Sequence, residues 1–224
     1  MTASDVGAVR PGEAQDWERL AAWLRAHVPG LDGAFEPAQF HGGFANLTYL
    51  LRFGDAEIVV RRPPLGPVPK GAHDMGREHR VLCALAPHYD RAPRSLAFCA
   101  DPGVIGAPFL AMERRRGAVI RRSFPPELAS EPEVERRAAL ALIDALADLH
   151  ALDPARLGLG DLGRPEGFAE RQLAGWARRW EAAKDRDIPL FAAVHARLEA
   201  TRPAPMGASV LHNDPKLDNC MFPP

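Results

Sequence analysis

Four prolines, Pro63, Pro64, Pro67 and Pro69, shut off a β-patterned stretch from Phe35 to Arg62, and no other feature constrains the fold as much. Proline has no N–H to give a ladder and biases the residue before it to an extended form. A sheet that starts here must therefore stop here and recruit its remaining strands from later in the chain. Before the stop, Phe40 leads into His41-Gly42-Gly43-Phe44-Ala45-Asn46. Leu47-Thr48-Tyr49-Leu50-Leu51-Arg52-Phe53 follows, then a Gly54-Asp55 turn and Glu57-Ile58-Val59-Val60-Arg61-Arg62. Short apolar and β-branched runs separated by glycine turns predict three antiparallel strands.

Upstream, Trp17, Leu20, Ala21, Trp23 and Leu24 recur at spacings of three and four, which predicts an amphipathic helix closed by Pro29-Gly30. Downstream, a helix is expected from about Asp74 to Leu85, then strands at Ser95 to Cys99 and Phe109 to Met112. Beyond about residue 118 the pattern is helical. Ser130 with Glu133 three residues on reads as a capping box, followed by an inward stripe of Ala139, Leu142, Ile143, Leu146, Leu149 and Leu152. Two more helices are expected over about 167–184 and 190–200, the first with Trp176 and Trp180 in the core. The expected class is α+β with two lobes, an N-terminal antiparallel sheet plus helix and a mainly helical C-terminal lobe. The expected division is a helical extension at 1–30, a sheet lobe at 31–116 and part of a helical lobe at 117–224.

Composition narrows the partners. Of 28 basic residues only Lys70, Lys184 and Lys216 are lysine, yet the net charge is −1 and the pI about 6.7. That balance gives no electrostatic case for nucleic acid or an anionic membrane. The clusters Arg61-Arg62, Arg114-Arg115-Arg116 and Arg121-Arg122 suit a small phosphorylated ligand better than a polyanion. Cys83, Cys99 and Cys220 are odd in number and lack CxxC spacing, arguing against a disulfide framework or a zinc site. With no apolar leader and no long apolar run, a cytoplasmic protein is expected.

The chemistry-bearing stretch is His212-Asn213-Asp214-Pro215-Lys216-Leu217-Asp218-Asn219. An Asp followed five residues later by an Asn supplies a group that accepts a hydroxyl's hydrogen bond and an amide oxygen that ligates Mg2+, which is what phosphoryl transfer requires. Asp214 takes the first role and Asn219 the second. Lys216 is placed to neutralise charge on the transferred group. The apolar Ser209-Val210-Leu211 before the loop predicts a buried strand end, and His212 a structural contact. Gly42-Gly43 could bring backbone N–H groups to phosphate oxygens. Arg61 or Arg62 could pair with those phosphates, steadied by Glu78 from the helix.

These segments resemble the aminoglycoside phosphotransferase (APH) family, in the protein-kinase-like fold, and within it the branch that includes kinase domains joined to acyl-CoA dehydrogenases. The resemblance runs from about Trp17 to Phe222. It rests on His41 to Tyr49, Val59-Val60-Arg61-Arg62-Pro63-Pro64, Arg77-Glu78-His79-Arg80-Val81-Leu82, Leu146 to Asp153, Glu170-Arg171-Gln172-Leu173 and the catalytic loop. It implies ATP, with GTP as the alternative, bound between lobes together with Mg2+. Gly42, Gly43, Asn46, Arg61 and Glu78 would serve the phosphates. Met112 would border the base, and the backbone of Glu113 to Arg115 would form the hinge. His150 would be a buried structural histidine. The implied acceptor is a hydroxylated small molecule, with an acyl-CoA-type metabolite preferred.

Some positions depart from the family pattern. Ala45 replaces a serine, Arg61 stands where protein kinases use lysine, and Pro215 follows the catalytic Asp. The second metal-binding Asp that family members carry downstream of the Asn does not occur before Pro224. The reading is thus a small-molecule kinase whose chain, ending here, is expected to be inactive alone. The alternative is a non-catalytic nucleotide-binding pseudokinase or a gene-fragment remnant.

Overall fold

The three strands expected before the prolines form and pair antiparallel in chain order: β2 (Phe35–Phe40), β3 (Leu47–Phe53) and β4 (Ala56–Arg62). The structure, a computed structural model, describes residues 6–42, 46–66 and 73–223. Gly54 makes the β3–β4 turn with φ of 57°, where a Cβ would stand 3.2 Å from the carbonyl of Asp32. A short β1 (Val6–Gly7), too brief for a periodic signal, adds to the β2 edge. On the other side, β5 (Ser95–Cys99) and β6 (Phe109–Glu113) complete a six-stranded sheet in the order β1-β2-β3-β4-β6-β5.

Side-chain alternation gives the sheet two different faces. Tyr49, Leu51, Phe53, Ile58, Val60, Phe109 and Ala111 bury one face against Leu20, Ala21 and Leu24 of α1 (Trp17–His27). Val59, Leu110 and Met112 bury the other against Met75 and Leu82 of α2 (Met75–Leu85). Both helices start where an Asp accepts a backbone N–H: Asp16 from Arg19 at 3.0 Å and Asp74 from Arg77 at 2.9 Å.

The later helices are α3 (Pro126–Ala129), α4 (Val134–His150), α5 (Phe168–Ala183) and α6 (Pro189–Ala200). Ser130 does not cap α4 as expected. Pro126 opens the extra turn α3, Ser130 closes it, and Glu133, with φ of 51°, accepts the first bond of α4 from Arg137 N at 2.9 Å. Of the expected stripe on α4, Leu149 is buried and Leu142, Leu146 and Leu152 are half-buried, whereas Ala139 and Ile143 are exposed and Ala138 is buried instead. His150, expected to be buried, is exposed at the helix end, one residue past the inward Leu149.

The chain divides into two compact units, one of residues 1–149 with 212–224 and one of residues 150–211. In the second, Trp180 stacks on Phe191 at 4.8 Å, but Trp176 is 62% exposed beneath the Arg179 guanidinium at 4.1 Å. The expected core role thus fails for Trp176, whose apolar face is covered by a neighbouring cation one turn on. No strand forms at Ser209 to Leu211, since Pro203, Pro205 and Gly207 interrupt the approach, although Val210 is buried. Among the described residues, no helix is long and apolar enough to cross a membrane.

One rung ties the end of the chain into the first unit. Ala118 N donates to Phe222 O at 2.8 Å, and Phe222 N to Ala118 O at 2.9 Å. Gly117 permits this approach, because a Cβ there would lie 2.7 Å from the Phe222 carbonyl. Gly117→Ala should lower stability by about 1–3 kcal/mol through that overlap. Thermal melts of the two proteins check this; equal midpoints would show that the rung carries no weight.

Candidate active site

The adjacent arginines on β4 leave the sheet on opposite faces, which resolves a choice the sequence left open. Arg61 lies on the α2 face, where its Nη1 meets Glu78 Oε1 at 2.6 Å. Its Nε is buried with no hydrogen-bond partner, an orphan donor that a ligand atom would satisfy. Arg62 turns to the α1 face and is 5% exposed. Its Nη1 donates to Gln15 Oε1 and to Ile105 O at 2.6 Å, and its Nε to Pro63 O at 3.1 Å. Arg62 is therefore an internal strut, and Arg61 is the cation aimed at the α2 side.

The catalytic-loop residues converge. Asn219, on the 3-10 turn Leu217–Asn219, donates from Nδ2 to Asp214 Oδ2 at 2.8 Å and to Asp214 O at 3.0 Å. That choice of donor leaves Asn219 Oδ1, a hard oxygen, as the ligand-capable atom. Lys216 Nζ stands 3.9 Å from Asp214 Oδ2 and 3.5 Å from Asp218 Oδ2. Asn213 takes φ of 67° ahead of Asp214, and Asp214 N donates to His212 Nδ1 at 3.4 Å. Both Asp214 and Lys216 are exposed, with side-chain exposures of 69% and 51%. Burial, then the nearby Asp218, pushes the Cys220 thiol up, so the residue after Asn219 is held as a neutral thiol.

Residues 113–115, expected to form the hinge, are braced from the α2–β5 loop. Glu113 N donates to Arg94 O at 2.9 Å, and its carboxylate pairs with Arg94 and Arg115, each at 2.7 Å. Burial opposes ionisation of Glu113, but the Arg94 bonds and the Arg115 charge outweigh it and hold the carboxyl below its ordinary value. Arg115 also donates to the carbonyls of Asp90 and Ala92, so its side chain braces the segment. Met112 is 5% exposed, in the core of the α2 face.

Of the glycine turn, Gly42 is described and Gly43 lies outside the described residues, as does Ala45. Asn46 Oδ1 contacts His73 Nδ1 at 2.6 Å, joining the end of the turn to the segment before α2. Every candidate residue that is described falls in the unit of residues 1–149 and 212–224. Of these candidates, a groove of about 770 Å³ lined by Gln15, Arg19, Arg62 and the 102–108 loop contains Arg62 alone. No local signal in the sequence could have revealed the Glu113–Arg94–Arg115 brace, which depends on the β5–β6 register.

Sheet, α2 and the Asp–Asn loop define the protein-kinase-like class. The chain belongs to the phosphotransferase enzyme family (APH), whose model matches residues 36–224. It is 33% identical over 229 residues to acyl-CoA dehydrogenase family member 11 of Gallus gallus, covering 97% of this chain and 29% of that protein. For the Homo sapiens protein of the same name the identity is 31%, covering 99% and 29%. The chain thus spans 29% of the length of these relatives. Among solved structures, a candidate aminoglycoside phosphotransferase of Ralstonia eutropha superposes with a TM-score of 0.78 at 31% identity, covering 94% of this chain and 61% of that one. A choline kinase of Cryptosporidium parvum, at 14% identity and a TM-score of 0.55 over 82% of this chain and 49% of that one, shares the fold alone.

Proposed function

We propose that this chain carries the nucleotide and catalytic-loop parts of an ATP-dependent phosphotransferase that moves the γ-phosphate to a hydroxyl of a small metabolite. The observation that carries the reading is the contact between Asp214 Oδ2 and Asn219 Nδ2 at 2.8 Å, which joins the hydroxyl-accepting carboxylate to the metal-capable amide in one exposed loop. Membership of the phosphotransferase family supports it. The Arg61–Glu78 pair with its orphan Nε supports the phosphate-binding role of Arg61.

In this reading Asp214 accepts the hydrogen bond of the acceptor hydroxyl and aligns its oxygen with the γ-phosphorus. As the new O–P bond forms and the bridging O–P bond to ADP breaks, the hydroxyl proton passes to the carboxylate. Arg61 binds phosphate oxygens with Glu78 fixing its orientation, and Gly42 offers its backbone N–H. Lys216 supplies positive charge beside Asp214. Asn219 Oδ1 would hold Mg2+ together with phosphate oxygens, a donor set of the kind this ion takes in kinase sites; bound there it would neutralise phosphate charge. Base recognition would fall to the backbone of 113–115 beside Met112.

The acceptor we favour is an acyl-CoA-type hydroxylated metabolite, because the family relatives are named as acyl-CoA dehydrogenase family members. Free thiols at Cys83, Cys99 and Cys220 support a reducing, cytoplasmic setting.

Thermal shift with ATP, with and without Mg2+, tests the binding half. At a hundredfold excess over Kd, ATP should stabilise the fold by about 2.7 kcal/mol. In Asn219→Ala the part of the shift that depends on Mg2+ should vanish while the metal-independent part persists. A melting temperature indifferent to Mg-ATP in the unaltered protein would end the reading. ATP consumption across hydroxyacyl thioesters, free hydroxy acids and amino sugars then identifies the acceptor class.

A further inference from the structure

We infer that the groove on the α1 face of the sheet is a second ligand site, one that takes a small organic monoanion, a carboxylate carried on an apolar chain or ring. It opens beside Arg62, on the face of β4 opposite Arg61, and stands whether or not the nucleotide reading above holds. The observation that carries it is the unfinished bonding of Arg62, which lines the groove at 5% exposure. Its Nε and Nη1 donate to Pro63 O, Ile105 O and Gln15 Oε1, all neutral acceptors. Nη2, the other tip of the fork, has no partner among the described residues and is not sealed from solvent. Nor does any carboxylate among those residues pair with Arg62. A guanidinium buried without a counter-charge is costly, and an anion is what ordinarily meets it. A carboxylate in the groove would complete the fork with a charge-assisted bond.

The rest of the lining narrows the ligand. Arg19 bridges two walls: its Nη1 donates to Gly103 O at 2.8 Å and its Nε stands 3.5 Å from Asp16 Oδ2. Arg19, Arg62 and Asp16 are the charged residues of the lining, which leaves a single net positive charge. One carboxylate balances it, whereas a phosphate dianion would overshoot. Pro63, Pro64, Leu65, Val104 and Ala107 supply apolar wall for the body of the ligand. The loop side is preformed, since Gly103 N donates to Asp101 Oδ1 and Gly106 N to Pro102 O, each at 2.7 Å. A volume of about 770 Å³ lies in the range that small-molecule sites occupy.

The test titrates the full 224-residue chain, labelled with 15N, with hexanoate, hexanol, hexylamine and hexyl phosphate, and follows the backbone amides by NMR. Hexanoate should bind with a Kd of about 1 mM or tighter and shift amides within 12–19, 62–66 and 102–108. Hexanol and hexylamine should bind at least about tenfold more weakly, and hexyl phosphate no more tightly than hexanoate. Arg62→Gln should weaken hexanoate about tenfold or more and Arg19→Gln about three- to tenfold. Ala14→Trp, at an exposed position of the lining, should block the groove and abolish binding with Arg62 in place. No shift with hexanoate, shifts confined to other segments, or equal binding of hexanol would overturn the site. Hexyl phosphate binding tenfold more tightly than hexanoate would overturn its assignment to a carboxylate. Should Arg62→Gln fail to fold, the two exposed positions decide: hexanoate affinity unchanged in both Arg19→Gln and Ala14→Trp overturns the proposal.

Discussion

Arg62→Ala lowers the melting temperature by about 6–12 °C, the equivalent of about 3 kcal/mol in a domain of this size. The side chain is 5% exposed and is held by neutral acceptors, the Gln15 amide oxygen and the carbonyls of Ile105 and Pro63. Burial lowers its affinity for a proton, with the nearby Tyr49 raising it, so the charge is tolerated only because these acceptors surround it. Truncation leaves them facing a cavity without a donor, the costliest outcome for buried polar groups. Arg61→Ala, one residue away, should behave oppositely. Its side chain is 37% exposed and pairs with a Glu78 side chain 27% exposed, so stability should fall by less than about 1 kcal/mol. Affinity for Mg-ATP should instead drop about 10- to 100-fold, with Glu78→Gln intermediate. Melts and calorimetry on both variants separate the two roles. A destabilised Arg61→Ala with normal ATP binding, or a stable Arg62→Ala that no longer binds it, would reverse the assignment of faces.

That pair also shows where sequence reading stops. Alternation along β4 tells that Arg61 and Arg62 oppose each other, but which face receives α2 depends on how the helix docks. The strands themselves were legible because glycine turns and the proline stop leave the 35–62 segment few other pairings, and the Asp16 and Asp74 caps were close to the expected helix starts. The loop around Asp214 was legible because residue type and spacing together encode its chemistry. Ser130 misled because the same Ser-x-x-Glu spacing fits a cap only if the chain enters the helix there, and Pro125-Pro126 had already started a separate turn. On the α4 stripe Leu149 is buried as expected, while Ala139 and Ile143 are exposed and Ala138 is buried instead, because neighbouring alanines are equivalent to a periodicity count and only packing distinguishes them. The Arg121–Gly42 contact spans 79 residues and leaves no local trace in either segment.

Asp214→Asn should reduce phosphate transfer by about two to four orders of magnitude, the range associated with losing a positioned acid–base group. The substitution is informative because it spares the loop. Asn219 Nδ2 donates to Asp214 Oδ2 at 2.8 Å and separately to the Asp214 backbone carbonyl at 3.0 Å. An asparagine at 214 can present its own amide oxygen to the first bond and leaves the second untouched, so the turn through Leu217–Asn219 and its rung at Phe222 persist. What disappears is the negative charge that draws the hydroxyl proton and balances Lys216, 3.9 Å away. ATP affinity should therefore stay within about threefold while the rate falls, since binding and transition-state terms are separable in this way. Single-turnover transfer to the accepted hydroxyl compound, in the polypeptide that shows transfer, measures the rate; calorimetry with Mg-ATP measures the affinity. Asp214→Ala, which also removes the side-chain acceptor for Asn219 Nδ2, should lose both. Transfer by Asp214→Asn at the unaltered rate would mean that the carboxylate neither aligns nor deprotonates the acceptor, and that the proton leaves by another route.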